Sequence, residues 1–264
     1  MNKIFVLESP TTQALPILAN LPHSGLFVPD AIRQQLTEAH QAFLPNQDWH
    51  LDRLYDFLPA LGISTLQATH SRYVVDLNRS LKPPYFGDFW SSVIPNQTAF
   101  KVPLYQTLPS SEALKQRLQD YYLPYHAQLA HQLSQMIQRF GRVYLLDLHS
   151  FYGLITDDVC LGNAKGKTCS ERLVASVERA FVGRGYGVVR NKAFTGGYIT
   201  RHYGNLPNIE ALQIEVRYPV YLDENRLDEL TIPDWKVAKF EAAKQQFRIG
   251  FEQFIDQIFQ RTPD

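Results

Sequence analysis

The sequence RVYLLDLHS, residues 142–150, constrains the fold most, because an apolar run of strand length ends on two polar side chains. Val143 to Leu146 favour a buried strand, and Asp147 and His149 lie two positions apart, hence on one face of that strand. A carboxylate or imidazole without a partner is costly in a protein interior. We therefore expect both groups to have partners, or a function, at the end of this strand.

Stretches of strand length alternate with helical patterns along the chain. This alternation predicts an α/β fold, namely a three-layer α/β/α sandwich with a mixed, largely parallel central sheet. We expect a single domain over residues 1–264. The predicted strands lie in 15–25, in two stretches of 63–80, and in 142–150, 159–163, 186–190 and 211–216.

Helices are predicted from the helical period of apolar positions and from signals at the helix ends. The pattern at 51–62 predicts a helix that ends at its final glycine. Ser110 or Ser111 caps a stretch that runs to about Phe140, and Pro124 must kink or divide it. Two further helices are predicted over 169–183 and from 233 to about 260.

Composition excludes several classes of partner. The chain has 26 basic and 26 acidic residues, so no charge excess favours nucleic acid or an anionic membrane, and affinity for acidic ligands must come from locally placed arginines. Cys160 and Cys169 have no metal or redox spacing, which fits a reducing compartment. We find no apolar run of the length of a signal peptide or membrane span, and we expect a cytoplasmic protein.

Polar clusters follow the predicted strands or begin a predicted helix. In α/β sheets, ligands bind at the carboxyl ends of strands, so these clusters are the candidate site. The clusters are His23; Asp48, His50 and Asp52; Arg72, Asp76, Asn78 and Arg79; and Asp147 with His149.

A catalytic zinc site commonly takes three protein ligands and leaves one position for water. His23 and His149 each end a strand, and Asp48 is a better third ligand than Asp52. Such a set leaves zinc with net positive charge, which acidifies water and polarises a carbonyl. The alternatives are histidines that are only hydrogen-bonded, Asp48 as a helix N-cap, and Asp147 as a support for the His149 ring or a partner of the backbone.

Further residues suit hydrolysis of an acidic substrate. Glu215, near the end of a strand, is a candidate base that returns its proton to a leaving amine, although the residues alone slightly favour pairing with Arg217. Arg79 and Asn78 match a carboxylate, and Arg72 offers a second guanidinium. The alternative for the arginines is a set of surface ion pairs.

The sequence FTGGYITRHYG, residues 194–204, contains two glycines that permit close backbone approach. We predict either a loop that covers the substrate with the guanidinium of Arg201 directed inward, or a plain turn.

In this order, the motifs PHSG, DWHLDRLYDF, SRYVVDLNRS, LLDLHS, FTGGYITRHYG and LQIEVRY resemble the N-formylglutamate amidohydrolase family, over about residues 15–220. The resemblance implies a zinc carboxypeptidase-like fold, related also to aspartoacylase, with one Zn²⁺ per chain. It further implies cleavage of N-formyl-L-glutamate to formate and glutamate in histidine degradation. Many carboxypeptidase relatives have a glutamate three residues after the first histidine, where this chain has Leu26.

The resemblance implies roles for seven residues, and Arg201 is a further candidate. His23, Asp48 and His149 are the implied metal ligands, Glu215 is the general base, and Arg72 polarises the scissile carbonyl or holds the substrate. Asn78 and Arg79 are implied to bind a substrate carboxylate, and Arg201 is expected to hold the other one.

Two other functions remain open from the sequence. One is a related zinc hydrolase that acts on another N-acyl amino acid or on a peptide end. The other is a non-catalytic domain that binds an acidic metabolite through its arginines. Two imidazoles and one carboxylate also accept iron, cobalt or manganese.

Overall fold

A computed structural model describes residues 3–224 and 230–259. A seven-stranded sheet forms the centre of the protein, and all its neighbouring strands are parallel except the β1–β3 and β7–β9 pairs. The strand order is β1-β3-β2-β6-β9-β7-β8, with β1 (Phe5–Glu8), β2 (Ile17–Leu21), β3 (Ser64–Ala68), β6 (Val143–Phe151), β7 (Val159–Gly162), β8 (Val188–Arg190) and β9 (Ile209–Arg217). A separate parallel pair consists of β4 (Phe86–Gly87) and β5 (Ile94–Pro95). The predicted α/β fold with a mixed, largely parallel sheet is confirmed.

Helices cover both faces of the sheet. They are α1 (Asp30–Arg33), α2 (Glu38–Ala42), α3 (Leu51–Leu54), α4 (Ser111–Arg117), α5 (Leu123–Phe140), α6 (Glu171–Val182), α7 (Tyr198–Tyr203) and α8 (Ala238–Phe259), with 3₁₀ turns at Leu58–Leu61 and Tyr218–Val220. No helix in the described ranges is both long enough and apolar enough to cross a bilayer.

Successive side chains of a strand point to opposite faces of the sheet, so the sheet contributes to two hydrophobic cores. In β6, Tyr144, Leu146 and Leu148 face the core that contains α3, α6 and α8. Val143 and Leu145 face the opposite core, which contains α5 and α7. The second face continues to Asp147 and His149, so the polar end of β6 lies on the α5–α7 side. A third cluster packs the loops beyond the sheet and includes Val28, Tyr73 and Phe89.

The helical stretch predicted from Ser110 or Ser111 to about Phe140 is confirmed, both in its N-terminal cap and in its division into two helices. The Ser110 hydroxyl accepts a hydrogen bond from the backbone of Ala113 and caps α4. A π-helical segment, Leu118–Tyr122, separates α4 from α5, and Pro124 lies in the first turn of α5, where a missing N–H costs little. The pattern at 51–62 forms α3 and a 3₁₀ turn, and Gly62 ends it at φ +86°.

The second strand predicted within 63–80 is wrong. Only β3 forms there, and residues 71–80 form consecutive turns whose buried apolar side chains belong to the second and third clusters. Asp76 stabilises the turns of this segment, because its carboxylate accepts a hydrogen bond from the backbone N–H of Asn78. The backbone N–H of Asp76 in turn donates to the carbonyl of Val93. These local partners replace the ladder that a strand would need.

Candidate metal and substrate site

The register of three parallel strands assembles a polar row at one end of the sheet. Asn20 of β2 and Gln213 of β9 lie opposite Asp147 of β6. One row further along, His149 lies opposite Glu215. Because side chains alternate along a strand, all five face the α5–α7 side, at the carboxyl ends where the site was expected.

His23 follows β2 after a single proline and is buried. Its Nε2 lies 2.7 Å from Oδ1 of Asp76, to which it donates, and its Nδ1 has no hydrogen-bond partner among the described residues. Burial, together with the nearby Arg72 guanidinium, lowers the pKa of His23 to about 4 despite the Asp76 carboxylate. The ring is therefore a neutral imidazole with a free Nδ1 lone pair.

His149 has carboxylates on both sides of its ring. Its Nδ1 is 3.0 Å from Oδ2 of Asp48, and its Nε2 is 3.3 Å from Oδ2 of Asp147. Burial opposes the charged form, but these two carboxylates outweigh it and raise the pKa of His149 well above its ordinary value. The surroundings of the ring thus stabilise positive charge.

Asp147 is held in turn by neutral partners behind the ring. Its Oδ1 accepts from Nδ2 of Asn20 at 2.9 Å, and its Oδ2 accepts from the Thr200 hydroxyl at 3.1 Å. The Tyr125 hydroxyl donates to Oδ1 of Asn20 over 2.7 Å. This network fixes the Asp147 carboxylate and, through it, the orientation of His149.

Asp48 lies between the two histidines and does not cap a helix. Its Oδ2 accepts from the backbone N–H of Ser150 at 3.2 Å and lies 3.8 Å from Nδ1 of His23. Burial opposes ionisation, but the hydrogen bond and the charge of His149 outweigh it and lower the pKa of Asp48. The N-cap residue of α3 is His50, so the capping alternative is wrong.

The residues present fit a metal ion. One ligand atom from each of His23, Asp48 and His149 can be chosen so that all three lie within 4.8 Å of one another, and all three residues are buried. The unpartnered Nδ1 of His23 is a ligand atom that nothing else in the described chain occupies. Two imidazole nitrogens and one carboxylate are a donor set typical of catalytic zinc. Asp52 lies in the first turn of α3, outside this group.

Glu215 is buried beside this group. Nε2 of Gln213 donates to its Oε1 over 2.5 Å. Burial is the largest effect on the group and raises the pKa of Glu215 to about 7. Arg217 instead donates to the carbonyl of Thr156 and lies 3.6 Å from Glu224, so the alternative pairing of Glu215 with Arg217 is wrong.

Arg72 and Arg79 both line the pocket beside the histidines. Arg72 donates through Nε and Nη2 to Oδ2 of Asp76, at 3.2 and 2.6 Å. Arg79 donates through Nη1 to the carbonyl of Asn78 at 3.1 Å, and its Nε has no partner among the described residues. Nη2 of Arg79 also lies 3.8 Å from Oδ2 of Asp76, so both arginines pair with this carboxylate, but Arg79 keeps its buried Nε donor available for a ligand.

Asn78 connects the site to α7. Its Oδ1 accepts from the backbone N–H of Ile199 at 2.8 Å, and its Nδ2 lies 3.1 Å from Nε2 of His149. A Cβ on Gly197 would lie 2.3 Å from the same Nδ2, so this close approach requires glycine.

Arg201 is exposed and does not line the pocket. Its Nε donates to the carbonyl of Gly196 at 2.7 Å, and its Nη2 donates to the Thr195 hydroxyl at 2.7 Å. Its guanidinium therefore braces the preceding loop, and that loop, residues 193–197, lines the pocket.

The pocket has a volume of about 440 Å³. Its lining combines the metal group, Glu215 and the two arginines with several aromatic side chains. The aromatic residues are Phe89, Trp90, Phe151, Tyr152, Phe194 and Tyr218.

Among the pocket residues that the sequence analysis did not single out are Gln213 and Asn46. Gln213 had a usable signal, since it lies two positions before Glu215 and so on the same face of β9. Asn46 precedes Asp48 in a segment without periodicity, and no pattern in the sequence marks it.

Comparisons with known proteins identify the family of this chain. A sequence model of the family described as N-formylglutamate amidohydrolase matches residues 15–222. The N-formylglutamate deformylase of Pseudomonas putida is 37% identical over 228 residues, which cover 80% of this chain and 83% of that protein. The counterpart from Pseudomonas aeruginosa is 36% identical over 222 residues, with the same coverage.

Solved structures agree as well. The crystal structure of N-formylglutamate amidohydrolase from Ralstonia eutropha JMP134 superposes with a TM-score of 0.81 at 27% identity, covering 97% of each chain. A gene product of Agrobacterium tumefaciens shares the fold, with a TM-score of 0.72 at 16% identity over 97% of this chain and 96% of that one. From the family match and the identity to its relatives, this chain belongs to the N-formylglutamate amidohydrolase family.

Proposed function

We propose that the protein is a zinc-dependent amidohydrolase that cleaves N-formyl-L-glutamate to formate and L-glutamate. The observation that carries this proposal is the buried group of His23, Asp48 and His149 beside Glu215 in one pocket. Family membership and the names of the Pseudomonas relatives support the choice of substrate.

One zinc ion per chain would be held by His23, Asp48 and His149. When bound, it supplies Lewis-acid polarisation of the formyl carbonyl and lowers the pKa of water. Asp76 and Asp147 hold the outward nitrogens of the two imidazoles, which fixes the ring orientations that a metal requires.

Glu215 would act as the general base and then as the general acid. Its pKa of about 7 is suited to exchange a proton near neutral pH. It would take a proton from the attacking water and deliver it to the nitrogen of the departing glutamate. Glu215 of β9 pairs with His149 of β6 in the sheet and is therefore next to the metal group.

The two arginines would recognise the acidic substrate. Arg79 would bind a carboxylate, because its buried Nε lacks a partner and a guanidinium matches the planar carboxylate. Asn78 would place this arginine, whose Nη1 donates to the Asn78 carbonyl. Arg72 would stabilise the oxyanion that develops on the formyl oxygen. Arg201 would contribute by bracing the loop at 193–197 rather than by reaching the substrate.

An enzyme of this specificity would serve histidine degradation in the cytoplasm. Its partner would be a small acidic N-acyl amino acid, and the balanced charge of the chain offers nothing that favours nucleic acid or membrane.

The test is formate release from N-formyl-L-glutamate, N-formyl-L-aspartate and, as acetate release, N-acetyl-L-aspartate, with the metal content measured in the same preparation. We expect about one zinc per chain and the highest kcat/KM for N-formyl-L-glutamate. Preference for N-acetyl-L-aspartate would indicate a related hydrolase instead. Absence of stoichiometric metal, with no hydrolysis after zinc addition, would indicate a domain that only binds acidic metabolites.

A further inference from the structure

Three residues that line the pocket carry buried polar atoms without a hydrogen-bond partner in the described part of the chain. They are His23 at Nδ1, Arg79 at Nε and Asn46 at Oδ1. The first is a ligand atom for the metal, and the second is a donor for a carboxylate. The third is an acceptor to which the proposed function gives no role.

Asn46 is held firmly next to the metal group. It adopts a left-handed backbone with φ +54°, which asparagine tolerates better than most residues. Gln47, the next residue, accepts a hydrogen bond from the Ser71 hydroxyl at its side chain and from the Tyr218 hydroxyl at its backbone carbonyl. Asp48 then joins the metal group. The bonds of Gln47 restrain the backbone from which the Asn46 side chain extends into the pocket lining.

A buried acceptor without a partner destabilises the folded state, and such atoms are rare in proteins. A ligand that donates to Oδ1 of Asn46 would remove this penalty on binding. At a functional site, an unsatisfied polar atom on a residue with a left-handed backbone is a reason to look for that ligand.

The donors and acceptors of the substrate decide which of its groups can donate to Oδ1 of Asn46. An N-acyl amino acid at neutral pH carries one strong donor, its amide N–H, while its carboxylates and carbonyl only accept. The pocket offers many donors, including Arg72 and Arg79. In the proposed function, its carboxylate Asp48 would hold the metal and its carboxylate Glu215 would transfer the proton. Oδ1 of Asn46 is the remaining side-chain acceptor that lacks a partner in the described part of the pocket.

We propose that Oδ1 of Asn46 accepts a hydrogen bond from the amide N–H of the substrate and thereby selects amides over esters. This inference rests on the proposed amidohydrolase function. The nitrogen gains positive charge as it becomes the leaving amine, so the hydrogen bond strengthens along the reaction. Asn46 is in this respect a specificity-determining residue.

The test compares N-formyl-L-glutamate with its ester analogue, 2-formyloxyglutarate, which has oxygen in place of the N–H. The variants are Asn46→Ala and Asn46→Gly, the second of which keeps the left-handed backbone unstrained. Asn208→Ala is the matched control, because Asn208 is exposed, lies outside the pocket and has a similar φ of +64°. Rates for the ester are corrected for spontaneous hydrolysis, and zinc content is measured throughout.

Both Asn46 variants should lower kcat/KM for the amide about 10-fold or more, the usual effect of one lost buried hydrogen bond, and leave the ester rate within about 2-fold. The control should preserve the ratio of amide to ester rates. An unchanged ratio in the Asn46 variants of an active enzyme would overturn this inference alone. No formate release from N-formyl-L-glutamate by the zinc-loaded wild type would overturn the proposed function as well.

Discussion

The side-chain amide of Gln213 joins Glu215 to the loop that covers the pocket. Its Nε2 donates to Oε1 of Glu215 over 2.5 Å, and its Oε1 accepts from the backbone N–H of Gly197. Gln213 is therefore hydrogen-bonded both to the proposed base and to the loop at 193–197. Any displacement of that loop is expected to disturb the carboxylate.

We expect the activity of the wild-type enzyme to fall on the acidic side of neutrality. Burial raises the pKa of Glu215 to about 7, and only the deprotonated carboxylate can accept a proton from water. Below this pKa, kcat/KM should fall about tenfold per pH unit, as a single titrating base requires.

Glu215→Gln should retain zinc and lose nearly all turnover. A variant that keeps most of its activity would exclude Glu215 as the base.

Gln213→Leu should shift this acidic limb to higher pH. The hydrogen bond from Gln213 stabilises the charged carboxylate and lowers the pKa of Glu215, so its loss raises that pKa further. Activity at pH 7 should drop and recover partly at higher pH, as a kcat/KM profile would show. The control is Gln67→Leu on β3, outside the pocket. An unshifted limb would show that Gln213 is only structural.

Arg79→Ala should weaken substrate binding and spare the metal. Loss of a charge-assisted hydrogen bond to a carboxylate should raise KM about 10- to 100-fold. Arg79→Lys should recover only part of this, because a lysine ammonium lacks the planar fork. Steady-state kinetics and zinc analysis check both points. Unchanged kinetics for N-formyl-L-glutamate would remove Arg79 from the substrate site.

Asp76→Asn should reduce the affinity for zinc. The Asp76 carboxylate accepts from Nε2 of His23 at 2.7 Å and keeps Nδ1 available as a ligand atom. Loss of such a partner costs about 10- to 100-fold in metal affinity. Competition with a chelator measures the effect, and Asp56→Asn, at an exposed ion pair with Lys244, is the control. Equal zinc affinity in both variants would contradict the role of Asp76.

The periodicity of the sequence was sufficient for six strands of the sheet and for the common face of Asp147 and His149, but it missed β1 and gave one strand too many in 63–80. It placed no constraint on the distance between His23 and Asp48, because the residues between them form short helices and turns without a repeating pattern. The set of three ligands was therefore predicted from resemblance and chemistry, and the strand pattern alone would have left Asp52 an equal choice.

The segment at 71–80 shows why a local pattern can fail. Its Val74 and Val75 favour a strand, but Asp76 binds His23, Arg72 and the backbone of Asn78 and so bends the chain into turns. The direction of Arg201 was unpredictable for a similar reason, since its partners are the hydroxyl and carbonyl groups of its own loop.

The pairing of β9 with β6 has a consequence for how the chain can change in length. Deleting one residue before Gln213 within β9 would exchange its two faces, placing Ile214 beside the imidazoles and Glu215 in the aliphatic layer against α8. Such a protein would keep much of its backbone pairing and lose its chemistry. Insertions and deletions are thus tolerable in the connecting segments. Within β9 they would shift the register against β6 and remove Glu215 from the site.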